Sequence, residues 1–97
     1  MKSATVKMKK VNYVRATINE SIDAFPLDGC INPVFQNLGD APVIIDGMLL
    51  DKEESFPIHT NGLEIDKGNN VSIIFQSETA KNLHFRCLRA SEDKCNQ

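Results

Sequence analysis

The sequence predicts an all-β fold: a single small antiparallel β-sandwich, jelly-roll or Ig-like, with seven to eight strands. Three observations carry this. Apolar runs never exceed three residues, so they suit strands interrupted by polar positions rather than buried helices. Turn dipeptides punctuate them at short intervals, at Gly39-Asp40, Asp46-Gly47 and Asn61-Gly62. No helical period persists for ten residues. A closed barrel is the alternative architecture. With 97 residues, 41% hydrophobic and 25% charged, the chain has the size and composition of one globular domain, 1–97. A basic N-terminal strand or arm (1–10) and a polar tail (91–97) flank it.

Residues 4–18 read as one long strand or two short ones. Val6 and Met8 share one side and Lys7 and Lys9 the other. Further on, Val11, Tyr13 and Arg15 lie on one face, with Val14, Ala16 and Ile18 on the opposite one. Apolar residues on both faces imply a central position in a sheet or contact with a partner. Residues 19–29 read as a connection. Pro26 biases Phe25 towards extended backbone and Asp28-Gly29 supplies a turn, leaving room for at most one helical turn at 20–24.

Cys30 to Leu38 reads as a strand whose inward set is either Val34 and Leu38, or Ile31, Pro33 and Phe35. Pro33 cannot donate to a ladder, so it marks a strand edge, a strand start or a bulge. Asp46-Gly47 has the composition of a two-residue primed turn. It would pair Ile45 with Met48, Ile44 with Leu49 and Val43 with Leu50. All six are apolar, more than one sheet face can bury, which makes this hairpin the expected interface.

Asn61-Gly62 predicts a second hairpin, pairing Thr60 with Leu63, His59 with Glu64 and Ile58 with Ile65. That register gathers Phe56, Ile58, Leu63 and Ile65 on one face, and Pro57, His59, Glu64 and Asp66 on the other. Lys67-Gly68-Asn69 is a turn into a strand at Asn70–Gln76. Ser77–Asn82 is a loop or a single helical turn. The last strand, Asn82–Ala90, directs Leu83, Phe85 and Cys87 one way and His84, Arg86 and Leu88 the other.

The net charge of −2 is unevenly spread: +5 over residues 1–19, −9 over 20–66 and +2 over 67–97. Such a split suits contacts between a basic segment and an acidic surface. The sequence pI of about 5.6, the lack of Trp and the single Tyr13 argue against a nucleic-acid or sugar-binding role, which needs a basic surface or aromatic platforms. Three cysteines (Cys30, Cys87, Cys95) without a C-x-x-C pair suit reduced thiols in a cytoplasm. No apolar h-region follows Met-Lys-Ser, and no run is long enough to span a membrane.

His59 and His84 lie in different elements, and His84 and Cys87 on opposite faces of one strand, so no metal or cofactor is expected. Neither a G-x-S-x-G elbow nor a phosphate-cradling glycine loop occurs, so no enzyme is expected.

The run Phe35-Gln-Asn-Leu-Gly-Asp-Ala-Pro-Val-Ile-Ile-Asp-Gly-Met-Leu-Leu, with Glu54-Ser-Phe and Val71-Ser-Ile-Ile-Phe further on, resembles a pattern in small β-sandwich virion proteins of tailed phages. The likeness is to the auxiliary capsid or decoration proteins of the crAss-like type in particular. In that pattern a strand ending in N-x-G leads to an I-x-G turn and then to a strand opening Gly-Glu-Ser-Phe. Glu53 stands here where the glycine is expected, which implies a differently built turn. The resemblance spans about half the chain and carries no catalytic residues. It implies a non-enzymatic structural subunit, assembled in the host bacterial cytoplasm into the virion, whose partner is the major capsid protein or another virion protein. A further copy of the chain, as a homo-oligomer, is the other expected partner. The alternative is a soluble interaction module of the bacterial cytoplasm, an adaptor or inhibitor. On either reading the expected partner-binding residues are Lys2, Lys7, Lys9 and Lys10 in the arm, and Val43, Ile44, Ile45, Met48, Leu49 and Leu50 in the hairpin.

Overall fold

A computed structural model describes residues 9–92. Eight strands appear, β1 (Lys9–Ile18), β2 (Ile22–Pro26), β3 (Cys30–Asn37), β4 (Val43–Ile45), β5 (Met48–Leu50), β6 (Ser55–Pro57), β7 (Asn70–Phe75) and β8 (Leu83–Glu92). They form two four-stranded sheets, ordered β1-β8-β3-β6 and β2-β7-β4-β5, and every pairing is antiparallel. First pairs with last, second with seventh, third with sixth and fourth with fifth, alternating between the sheets. This is the winding of a jelly roll, so the sandwich expectation holds and the closed barrel is excluded.

The core is where period-2 alternation from both sheets converges. Phe35, Val43, Ile45, Ile73 and Leu83 are fully buried, each an inward residue of its strand. Four phenylalanines bridge the layers. Phe35 lies 5.0 Å from Phe85, 5.7 Å from Phe25 and 6.4 Å from Phe56, centroid to centroid, and Phe25 meets Phe85 edge-on at 4.9 Å.

The connection expected at 19–29 instead contains β2. Ile22 and Phe25 pack on the core, and that burial holds the segment extended against β7, where Ile22 pairs with Ile73 and Phe25 with Val71. Pro26 ends this edge strand, where its missing N–H costs nothing. At the other end of the chain β8 runs past the expected limit, because Ser91 and Glu92 pair with Lys10 and Lys9. The tail therefore begins later than residue 91. Residues 77–82 form a loop without a helical turn.

In β3, Pro33 sits in a bulge. Ile31 pairs with Leu88 but Val34 with Arg86, so one extra residue is inserted, and Asn32 takes a φ of 50° to accommodate it. The bulge lets Cys30 and Phe35 both face inward although their parity differs. Of the two inward sets, Pro33 and Phe35 of the second match, while its Ile31 lies in the outer row beside Leu88; Leu38 is exposed and Val34 lies on the outer side.

The Asp46-Gly47 hairpin has the expected register, with positive φ at both turn residues. The Asn61-Gly62 hairpin is a correction. Its turn forms, with φ of 55° and 82° and Leu63 N–H donating to the Thr60 carbonyl. No ladder extends from it. The flanking backbone bonds to β3 instead: Ile58 N–H donates to the Pro33 carbonyl, Ile65 N–H to that of Cys30, and Gly29 N–H to that of Ile65. Asn32 and Thr60 clamp the arrangement, each backbone N–H donating to the other's side-chain oxygen. Ile58 and Ile65 still reach the core, whereas Leu63 points to solvent.

The turn at 51–54 is built around Glu53. Glu54 N–H donates to the Asp51 carbonyl, and Glu53 holds a φ of 73°, the value a glycine would supply at that place in a type II turn. The non-glycine residue at this position bears the strain of a left-handed backbone. Glu53 N–H donates to the carbonyl of Asn37, a fully buried polar residue. The Asn37 side-chain amide donates to the carbonyls of Ala41 (2.9 Å) and Leu50 (3.1 Å) and accepts from Gly39 N–H (3.1 Å). Gly39 can be nothing larger, since a Cβ there would come 2.3 Å from the Ala80 carbonyl oxygen.

Two stability changes of opposite sign follow. Glu53→Gly relieves the positive φ and raises stability by about 1 kcal/mol. Asn37→Ala strands buried backbone groups and lowers it by about 3 kcal/mol. Urea denaturation checks both, read as midpoint shifts at unchanged slope.

Candidate protein-interaction surfaces

The residues expected to bind a partner separate into distinct groups. Lys2 and Lys7 lie outside the described residues. Lys9 opens β1, and Lys10 is exposed beside it. Within the hairpin, Val43, Ile45 and Leu50 are core residues, at 0%, 0% and 3% exposure, and their assignment to an interface is corrected: pleating turns alternate residues inward. Met48 and Leu49 remain open at 55% each, and Ile44 is half-buried.

Register adds a residue that the hairpin alone does not reveal. Ile44 pairs with Leu49 on one side and with Ile74 of β7 on the other, so Ile74, Ile44 and Leu49 form an apolar row across the outer face of the second sheet. Ile74 is 45% exposed. Its outward direction was available from its alternation with buried Ile73, but its place beside Ile44 depends on strand order. The strands of this sheet carry no lysine, arginine or histidine. Asp23, exposed in the irregular stretch of β2 between Ile22 and Phe25, and Asp46, whose N–H donates to the Ser72 carbonyl, flank the row. β5 is an edge strand. Ladder alternation from the tight turn directs the Leu49 N–H and C=O away from β4, towards that open edge.

The outer face of the first sheet has the opposite character. Beyond the terminal backbone pair of Lys9 with Glu92, four rows cross it: Val11 with Ala90; Tyr13 with Leu88 and Ile31; Arg15 with Arg86, Val34 and Pro57; Thr17 with His84, Gln36 and Ser55. No carboxylate occurs in these rows. Val11 and Tyr13 are 56% exposed each, and the Arg15 guanidinium sits 5.0 Å from the Tyr13 ring centroid. Both apolar faces expected for β1 are present. The strand is not central, however, but occupies the sheet edge.

Elsewhere the titratable groups are dispersed. Among the described residues no three His, Cys, Asp or Glu side chains gather as a metal site would require, and no helix is long and apolar enough to cross a membrane. An open cleft lined by Thr17, Ile18, Asn19, Glu20 and Ile22 brings one carboxylate and no histidine or thiol together. Comparison with family models, with curated proteins and with solved structures finds no match.

Cys30 and Cys87 are buried free thiols. Burial first, and then the hydrogen bond with Cys87, pushes the Cys30 thiol from its ordinary 9.0 up to about 12; Arg89, whose guanidinium lies 3.7 Å from its sulfur, pulls more weakly the other way. Such a thiol is packing, not a nucleophile. In a Cys95→Ser background neither remaining thiol should react with an aromatic disulfide reagent at about pH 8 until denaturant is added. Because the folded state holds the proton more tightly than the unfolded one, this contribution to stability is intact below 9.0 and fades as pH climbs from there towards 12. Chemical denaturation across that range reads the loss.

Proposed function

We propose that this chain is a non-enzymatic structural subunit of a phage virion, an auxiliary capsid or decoration protein that binds the major capsid protein or a neighbouring virion protein. The observation carrying the protein-binding part is the row Ile74–Ile44–Leu49, with Met48 beside it. A monomer has no use for such a row on the outside of a sheet, while a protein interface does. The jelly-roll winding supports the virion part by fold-level analogy, since capsid domains are among the proteins that use it, though lectins and cupins do too. The likeness of residues 35–50, 54–56 and 71–75 to small virion proteins adds to this reading. The absence of assembled acid–base pairs or thiolate nucleophiles among the described residues is consistent with binding as the activity. The open β5 edge offers backbone groups to which a partner strand could add. The alternative, an adaptor or inhibitor acting in the bacterial cytoplasm, draws on the same surface but leaves the fold analogy unused.

Mass spectrometry of purified particles tests the proposal. The chain is expected at a stoichiometry tied to the capsid lattice. Leu49→Asp with Met48→Ser should reduce its incorporation at least about tenfold, since each removes an exposed apolar contact without touching the core. Absence from particles, together with a stoichiometric host partner in pull-downs, would replace this reading with the cytoplasmic one.

A further inference from the structure

The two outer faces of the sandwich are complementary to each other. One carries Tyr13, Val11 and Leu88 around Arg15 and Arg86; the other carries Ile74, Ile44 and Leu49 flanked by Asp23 and Asp46. Arg15 and Arg86 are direct cross-strand partners, a like-charge arrangement that disfavours the sheet on its own. No carboxylate of the described residues forms an ion pair with either. On the acidic face, the nearest lysine in sequence, Lys52, is already held by Asp40 at 3.0 Å. Each face thus lacks what the other supplies.

We infer that the occupant of each face is a second copy of this chain, stacked so that the basic face of one subunit covers the acidic face of the next. The sign of the charges selects this arrangement over the symmetric ones. Basic face on basic face would bring four arginines together, and acidic on acidic would gather four aspartates without a cation. Head-to-tail stacking instead sets Arg15 and Arg86 against Asp23 and Asp46 around an apolar centre, the pattern of a protein interface with a charged rim. The faces lie on opposite sides of one sandwich, so the contact is heterologous and does not close as a dimer: each added subunit presents a fresh face. The terminal subunit of a stack keeps one acidic face open, the same row proposed above for a virion partner. The inference does not depend on that proposal, because it concerns only copies of this chain.

Sedimentation velocity on the nuclease-treated full chain tests the stacking. The weight-average mass should rise with protein concentration beyond a dimer, and fall when salt is raised from about 0.05 M to about 0.5 M, where the Debye length shrinks severalfold. Arg15→Glu with Arg86→Glu should sediment as monomer, as should Asp23→Lys with Asp46→Asn; Asn keeps the positive φ of the turn. Mixing the two variants restores an acidic-to-basic contact and should recover association that neither shows alone. Far-UV circular dichroism verifies folding, and Arg15→Gln with Arg86→Gln serves in place of a reversal that does not fold. A wild-type chain that stays monomeric at every concentration and salt overturns the inference. So does association that survives both reversals, a mixture that fails to recover it, or assemblies that dissolve on nuclease treatment.

Discussion

The buried amide of Asn37 is the interaction on which the rest of the jelly roll depends. At the end of β3 the chain must leave one sheet, cross to the other through residues 38–42, run out and back through the β4–β5 hairpin, and return to pair β6 with β3. Every segment of that excursion is fastened to one residue. The Asn37 side chain bonds the carbonyls of Ala41 and Leu50 and the N–H of Gly39, while its backbone accepts from Glu53 and donates to Glu54. A polar side chain in an apolar interior costs free energy unless every group finds a partner. Among the described residues no buried side-chain nitrogen or oxygen is left without one, and the cost becomes specificity: another path through the crossover would orphan several groups at once.

That crossover places the surfaces. Because β4 and β5 are held at the end of the second sheet, their outward residues join Ile74 in a row, and β5 is left as an edge. The bulge at Asn32 and Pro33 does equivalent work in the first sheet. It resets the parity of β3, so that Phe35 faces the phenylalanine cluster while Val34 joins Arg86 and Arg15 outside. Arg15 and Arg86 are thereby set on one outer side of the sandwich, and Asp23 and Asp46 beside the outer row of the other sheet. Both outer faces keep apolar residues in the open, in a chain whose inner faces are already filled. Surface left uncovered in this way is what the proposed assembly would cover.

Local rules explain which features were legible beforehand. The Asp46-Gly47 hairpin followed from turn chemistry and kept its register. The facing of β8 followed from strict alternation, with Leu83, Phe85 and Cys87 inward. The Asn61-Gly62 segment obeyed its turn but not its hairpin, because Ile58 and Ile65 gain more by bonding to the β3 backbone than to each other. The strand at Ile22–Pro26 was hidden because Asp23 and the terminal proline read as a connection; the burial of Ile22 and Phe25 and the pairing with β7 hold it extended. The positive φ of Glu53 was hidden, because a glutamate gives no local sign of left-handed backbone.

By itself the sequence determined the class of fold, the tight turns and the inward-facing residues of most strands, since these depend on neighbours one to four positions apart. It also showed that the hairpin at 43–50 holds more apolar side chains than one face can bury. Tertiary structure alone decided which of those six remain outside, that Ile74 completes their row, and that Arg15 stands opposite Arg86. Strand order sets these juxtapositions, and strand order depends on contacts between residues about twenty to eighty positions apart, about which local pattern carries no information.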